Sequence, residues 1–449
     1  MDKRKELFEH APIPKAVAAM AVPTIISMLV VIIYNMADTF FVGQTGDSMQ
    51  VAAVSLATPV FLLFMAVGNL YGIGGSSEIA RSLGRKDLDR VKKVSSFCCY
   101  ASIITGIIML LIFQFGMEQI LAAIGASANT IDFARDYLRY ISFGGVFIIL
   151  ATAFGNIVRA EGAAKEAMVG NMIGTIVNII LDPVFILGLK WGVVGAAVAT
   201  VIGNIAACVF YLHYFLKKHS VLSISYKDFS AGNGIAKGVA GIGIPASLNN
   251  ILMSIANIIL NAYLIQYGDT PVAAMGVAQK LNMLVVLLQI GLCMGVQPLI
   301  AYNFGAGNPK RMKKVIKFVM GSAIVMGSAL TLIVVLAKGT MIRIFIQDDE
   351  VIAYGIKMVT ALMLTGPVLG ILFTCINTLQ GMGKAMPSLL LTVCRQGLIF
   401  VPFVIIMNSV LGLEGIIYAQ PVADMFSIVV AFIVTMSCIK KFEKSLQKA

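Results

Sequence analysis

Charged side chains are scarce in this sequence, at 12% of its 449 residues, whereas a soluble globular chain carries about 25%. An ordinary soluble protein is therefore excluded. The seven cysteines are an odd number and form no CxxC motif, so neither a disulfide framework nor a metal site is expected from them. The motif GxxxxGK followed by Ser or Thr is also missing, so nothing indicates the use of ATP.

Apolar runs of about 18 residues or more recur along the whole chain, and each is long enough to cross a membrane as a helix. Lipid leaves only helices or a closed barrel as spanning structures, and these runs are too long for barrel strands. We therefore predict an all-α integral membrane protein with twelve transmembrane helices. The predicted helices cover residues 14–42, 51–77, 94–115, 136–158, 167–188, 192–216, 238–267, 272–296, 318–336, 352–378, 385–408 and 414–438.

Most of the 34 Lys and Arg residues share one side of the membrane if the N-terminus lies inside. This distribution predicts a protein of the plasma (inner) membrane with both termini in the cytoplasm, and with the polar connections 76–93 and 297–317 on the same side. The basic excess then reflects topology, so no nucleic-acid partner is expected. The first residues, MDKRKELFEHAPIPKAV, lack the apolar core and cleavage site of a removable signal peptide.

The chain contains an internal repeat. The stretch SEIARSLGRKDLDRVKKV (77–94) aligns without gaps with PLIAYNFGAGNPKRMKKV (298–315) at an offset of 221 residues. An offset of 222 aligns Pro23 with Pro245 and Asn35 with Asn257. We predict a six-helix lobe over 1–216, a linker over 217–237 and a second lobe over 238–449 with a short basic tail. Because six is even, both lobes enter the membrane in the same direction and are related by a pseudo-twofold axis along the membrane normal.

Ionisable residues within membrane spans are costly and are functional candidates by default. Here they are Asp38, Asp182, Lys280, Arg395 and Asp424. Asp38 and Asp182 lie near the outer ends of helices 1 and 5, at the depth of Thr200 in helix 6. Asn178 lies one helical turn before Asp182 on the same face. These hard oxygen ligands suit a proton or Na⁺, and the alternative is that each Asp pairs structurally with a neighbouring polar group.

Several stretches resemble the multidrug and toxic compound extrusion (MATE) transporters, of the DinF/MepA-like kind. They are MADTFFVG (36–43), NIILDP (178–183), Thr200, VRAEGAAK (158–165), LQGMGKAMP (379–387) and the paired loops that end RVKKV and RMKKV. The resemblance implies a cation site in the first lobe at Asp38, Asn178, Asp182 and Thr200. It also implies that helix 1 bends at Pro23, and Pro183 marks a second possible hinge because proline removes a backbone donor.

The second lobe departs from another branch of that family, which uses acids in helices 7 and 10. Asn257 and Leu260 stand where the repeat has Asn35 and Asp38, so a second cation site is not expected there. Arg395 and Asp424 lie at equal depth with opposite charges, which favours a structural ion pair over a role in drug binding or coupling. Lys280, beside Gln279, either faces a cavity or extends outward along its span. Asn35, Asn257 and Gln279 are further candidate cavity residues.

These observations favour a secondary active multidrug exporter that exchanges cationic amphipathic compounds, bound between the lobes, for H⁺ or Na⁺. We expect a monomer in membrane lipid that is not an enzyme and needs no cofactor besides the coupling ion. One alternative is a flippase of lipid-linked saccharides, for whose basic cavity only Lys280 and Arg395 are candidates. A distant alternative is an intramembrane aspartyl protease, but the required GxGD motif is missing and GQTGD and YGD have the wrong spacing.

Overall fold

A computed structural model describes residues 6–44, 48–124, 129–216, 220–345 and 348–448, and these residues are almost entirely helical. Eleven helices in this part of the chain are long and apolar enough to cross a membrane, and a twelfth crossing is formed by two helices that meet at a bend of 48°. The prediction of twelve transmembrane helices is thus confirmed. They are α1 (Ile13–Gly43), α2 (Ser48–Gly84), α3 (Leu88–Phe115), α4 (Ile131–Ala160), α5 (Ala164–Gly188), α6 (Val193–Phe215), α7 (Ile235–Leu264), α8 (Asp269–Gly305), α9 (Pro309–Phe345), α10 (Asp349–Met363 with Gly366–Gly381), α11 (Ala385–Leu411) and α12 (Leu413–Lys448).

The helices extend further than the apolar runs alone indicate. The prediction that residues 76–93 and 297–317 are loops is wrong, because most of these residues are helical. In the first segment α2 continues to Gly84 and α3 begins at Leu88. In the second, α8 continues to Gly305 and α9 begins at Pro309. A helix of 37 residues such as α2 is about 55 Å long, well beyond a hydrocarbon core of about 30 Å. Charged residues therefore occupy helical turns that extend past the apolar layer.

The two short turns between these helices have the same backbone geometry. Each passes through one residue with positive φ, Lys86 (62°) in the first and Gly307 (64°) in the second, which are repeat equivalents. A side chain then caps each following helix: Asp87 Oδ1 accepts the backbone N–H of Arg90 at 3.0 Å, and Asn308 Oδ1 accepts that of Arg311 at 3.0 Å. The repeat read from the sequence is therefore also present in the local structure.

The chain packs as two compact units. The first unit is Ile26–Ser247, and the second unit consists of the chain up to Ile25 together with the chain from Leu248. Both boundaries fall inside helices, two residues after Pro23 in α1 and two after Pro245 in α7. The division into 1–216, 217–237 and 238–449 follows the sequence repeat and stays a prediction, while packing groups the first turns of α1 and α7 differently.

The core of the first unit is formed around α4, which packs against α2, α3 and α6. Glycines on α4 allow this close packing, because a Cβ on Gly144 would lie 2.1 Å from Val201 and one on Gly145 would lie 2.3 Å from Phe64. In the second unit the apolar cluster joins all six helices from α7 to α12. The candidate site in the first unit is thus positioned by helices that are held by tight interlocking contacts.

Candidate cation-binding site

Helices α5 and α6 approach each other through a pair of glycines. A Cβ on Gly203 would lie 2.5 Å from the carbonyl oxygen of Gly174, and one on Gly174 would lie 2.9 Å from the carbonyl oxygen of Gly203. No side chain fits in this contact, so the backbones come closer than larger residues allow. Asn178 follows Gly174 by one turn and Thr200 precedes Gly203 by about one turn, so the close contact brings their side chains together.

Asn178 and Thr200 form the described centre of the site. The Asn178 Nδ2 group donates to Thr200 Oγ1 at 3.2 Å, and both residues are buried, with exposed fractions of 3% and 4%. The other amide atom, Asn178 Oδ1, is buried and accepts no hydrogen bond within the described part of the chain. A buried carbonyl oxygen without a donor is costly, and it is also a ready ligand for a cation.

Tyr34 of α1 reaches the same hydroxyl. Its phenolic oxygen lies 3.4 Å from Thr200 Oγ1, and either group could be the donor. Tyr34 could not be predicted as a site residue from the sequence, because nothing in the apolar pattern of helix 1 indicates which face of it meets α6. The one available signal was its spacing from Asp38, since residues four apart share a helix face.

Asp182 is fully buried and lies one turn beyond Asn178 on α5. The helix does not end at the following Pro183; it continues over Pro183–Gly188 with a wider, π-helical turn. Proline cannot supply the N–H that a regular helix needs, and a π-helical turn accommodates that loss. The carboxylate therefore sits where the backbone of α5 changes its hydrogen-bonding pattern, a feature often found at functional sites.

Two predicted site residues cannot be placed at side-chain level. Asp38 and Asn35 belong to α1, and Asp38 follows Tyr34 by one helical turn, but the side chains of 35–40 lie outside the described residues. Of the four predicted cation ligands, the structure therefore brings together Asn178 and Thr200 directly and Asp182 one turn away. The part of Asp38 in this site stays a prediction.

The equivalent region of the second unit is built differently. Gln279 Nε2 donates to Asn257 Oδ1 at 3.0 Å, so the amide oxygen of Asn257 already has a donor. Leu260, at the position that matches Asp38, is a buried apolar residue. Lys280 is exposed and its ammonium lies 5.5 Å from the centre of the Phe345 ring, at the last residue of α9. This places Lys280 against the end of a span, where a cation–π contact and water can both stabilise it.

Arg395 and Asp424 form a buried ion pair in the second unit. Arg395 Nε lies 3.0 Å from Asp424 Oδ1, and Gln420 Nε2 donates to the same oxygen at 2.9 Å. The guanidinium also stacks over Phe373, 5.1 Å from the ring centre. Arg395 belongs to a π-helical turn of α11, Cys394–Ile399, that the apolar pattern of the sequence does not reveal.

Twelve membrane-spanning helices in two repeats, with a group of buried polar side chains in the first, are typical of a membrane transporter. The MatE family model matches the chain twice, over residues 23–184 and 245–406, with one constant offset. The chain belongs to this family, and the double match confirms the internal repeat. It is similar to the multidrug export protein MepA of Staphylococcus aureus (36% identity over 437 residues, 96% of each chain) and to that of Staphylococcus saprophyticus (34% over 437 residues, 96% of each).

Solved structures show the same fold. An outward-facing multidrug resistance MATE family transporter of the MOP superfamily superimposes with a TM-score of 0.93 at 27% identity, over 98% of this chain and 99% of that one. A MATE protein in its bent conformation superimposes with a TM-score of 0.92 at 26% identity, over 99% of each chain. The same values hold for a MATE protein in the straight conformation.

Proposed function

We propose that the protein is a secondary active multidrug exporter, which moves cationic amphipathic compounds out of the cell in exchange for H⁺ or Na⁺. The single observation that carries the coupling site is the buried group of Asn178, Thr200 and Asp182, in which the amide oxygen of Asn178 has no donor among the described residues. The multidrug export function is carried over from the relatives in Staphylococcus.

The chemistry of the group fits a small cation. Asp182 supplies the negative charge, and the oxygens of Asn178 and Thr200 complete a shell without adding further charge. Because Asn178 Nδ2 donates to Thr200 Oγ1, the amide is oriented with its oxygen directed away from that hydroxyl. Asp38 is the proposed fourth ligand and would add a second carboxylate to the group. Such a pair can hold a proton or Na⁺ and release it when water enters.

The proposed hinges lie where a change of charge at the site can alter the backbone. Pro183 directly follows Asp182, at the π-helical turn of α5. Pro23 lies in α1 two residues before the boundary between the two units. Bending α1 there would change how Tyr34 and the following turn meet Thr200. This supports a mechanism in which cation binding and bending of α1 are linked.

The topology proposal follows the basic residues: both termini lie in the cytoplasm and the protein is a monomer in the plasma (inner) membrane. The structure offers little support for the alternative function, a flippase of lipid-linked saccharides. Its two candidate cavity cations are engaged elsewhere, Lys280 by Phe345 and Arg395 by Asp424. Drug export is therefore favoured over that alternative.

The test uses the full chain in proteoliposomes, with ethidium efflux measured under an imposed pH gradient or Na⁺ gradient, one at a time. We expect one of the two gradients to drive efflux in the wild type. Asp182→Asn should insert normally but reduce gradient-driven efflux to the level of empty vesicles, because an amide cannot gain and lose a charge. Gradient-driven efflux at the wild-type rate in this variant would show that the carboxylate is structural.

The matched control is Asp89→Asn, which removes one carboxylate from an exposed position on α3 where its partner is Lys93. This variant should transport at the wild-type rate. If both variants lose transport equally, the loss reflects the change in net charge or in folding, and the proposed coupling role of Asp182 is wrong.

A further inference from the structure

The turn between α8 and α9 differs in charge from its repeat equivalent between α2 and α3. The first turn and the helices on either side of it carry three acids, Glu78 on α2, Asp87 in the turn and Asp89 on α3. At an offset of 221 residues their equivalents are Leu299, Asn308 and Lys310. The backbone geometry and the helix cap are retained, as described above, but every acid is lost.

In the first unit these acids neutralise the neighbouring cations. Glu78 is buried and binds Arg90 at 2.6 Å and Arg85 at 3.3 Å, besides a short contact with Arg81. On α3, Asp89 binds Lys93 at 2.6 Å. The charges of this turn are therefore largely paired within the protein.

In the second unit Lys313 binds Glu443 at 2.6 Å, but the cations on either side of it lack such a carboxylate partner within the described residues. Lys310 and Lys314 are exposed, and no carboxylate lies within 4 Å of either ammonium in the part of the chain that the structure describes. Arg311 is held in place by backbone carbonyls, since its Nε donates to Phe8 at 2.7 Å and its Nη2 to Ala11 at 2.7 Å. Three positive charges thus point to one region near the start of α9.

These residues line a cavity of about 390 Å³ between the start of α1 and the start of α9. Its one acid is Glu9, whose Oε1 accepts the hydroxyl of Tyr302 at 2.7 Å and whose Oε2 lies 3.6 Å from Nε2 of His10. The lysines and Arg311 outnumber this carboxylate, so the cavity carries a net positive charge even with His10 neutral. The N-terminal end of α9 adds a favourable field for an anion.

We propose that this cavity binds the phosphate group of an anionic ligand. Lysine ammonium groups provide compact charges and several donors for phosphate oxygens, and fixed Arg311 limits the cavity on one side. The source is either the headgroup of an anionic phospholipid or a free phosphate. The position favours the headgroup, because α9 leads from these lysines directly into an apolar span, and basic pockets at such places attract anionic lipids.

To test this, the purified full chain in neutral detergent is titrated with a short-chain phosphatidylglycerol and, separately, with inorganic phosphate. Binding is measured by native mass spectrometry and calorimetry. The variant is Lys310→Gln with Lys314→Gln, which keeps Arg311 and its backbone contacts. Each basic residue near an anionic surface strengthens binding about fivefold, so the double variant should bind about 30-fold more weakly. Lys310→Asp restores the acid of the first unit and, with the same change of two charge units, should weaken binding to a similar extent.

The matched control is Lys440→Gln with Lys441→Gln, two exposed lysines on α12 that lie outside the cavity. It should bind as the wild type does. Binding of phosphatidylglycerol alone assigns the site to a lipid headgroup, and equal binding of inorganic phosphate assigns it to a free phosphate. Binding of neither probe, wild-type affinity in the cavity variant, or an equal loss in the control would overturn the proposal. The exposed lysines can be replaced without loss of folding, which the melting temperature of each variant checks.

Discussion

Neutralising one partner of the Arg395–Asp424 pair should destabilise the fold more than neutralising both. The two side chains are only 9% and 4% exposed, and their contact is a direct hydrogen bond of 3.0 Å. If Arg395 is replaced by Met, Asp424 keeps Gln420 as a donor but loses its only counter-charge among the described residues. If Asp424 is replaced by Asn, the guanidinium keeps the Phe373 ring but no carboxylate.

The expected magnitude follows from the burial of the pair. Removing one partner of a buried ion pair typically costs about 3–5 kcal/mol, because the other charge stays buried and unpaired. At about 1.4 kcal/mol for each factor of ten, this lowers the ratio of folded to unfolded protein by more than about 100-fold. The double variant Arg395→Met with Asp424→Asn removes both charges at similar volume, so it should lie within about 1 kcal/mol of the wild type.

The assay is the yield and thermal stability of monodisperse protein by fluorescence-detected size-exclusion chromatography. The control pair is Lys357 and Glu414, which are about half exposed, so single neutralisations there should leave yield and thermal stability close to those of the wild type. Normal yields of the single Arg395 and Asp424 variants with abolished transport would refute a structural role. A double variant as unstable as the singles would refute the argument from unpaired charge.

Two further variants test the packing of the site and the topology. Gly203→Val should force α6 away from the carbonyl of Gly174, at a cost of about 1–3 kcal/mol in stability. It should also lower efflux, because the proposed ligands on the two helices would move apart. Wild-type stability together with wild-type efflux would contradict this packing. A cysteine at Asp87 or Asn308 should react with an impermeant thiol reagent only in inverted membrane vesicles, and labelling from outside intact cells would reverse the proposed topology.

The number of helices, the repeat and the centre of the candidate site could be predicted from the sequence, because each depends on signals in short stretches of it. Apolar length predicts a span, and a constant offset predicts a repeat. The spacing of Asn178 and Asp182 places them on one face of one helix whatever the rest of the chain does. Thr200 required only an estimate of depth, since a helix rises by a constant 1.5 Å per residue.

Features that depend on how helices pack could not be predicted from the sequence. Tyr34 meets Thr200 only because α1 has a particular rotation about its axis, which apolar composition does not determine. Arg159 is buried in α4, where its Nη1 donates to Asn156 Oδ1 at 2.9 Å, and the sequence alone does not indicate this burial. The break in α10 near Leu364 is marked locally by Gly366 and Pro367, but the length of the apolar run alone does not indicate it.

The repeat is retained most faithfully where an arginine binds backbone. In the first unit Arg90 Nη1 donates to the carbonyl of Asn233 at 3.1 Å, and in the second unit Arg311 Nη2 donates to that of Ala11 at 2.7 Å. The donors are repeat equivalents, and each acceptor lies two residues before the start of a helix, α7 and α1 respectively. The rest of each helix, beyond its proline, belongs to the other unit. Backbone carbonyls are present whatever the side chain, so this contact occurs in both repeats although the acids around it differ. It holds the first turns of α1 and α7 on one side of the proposed hinge.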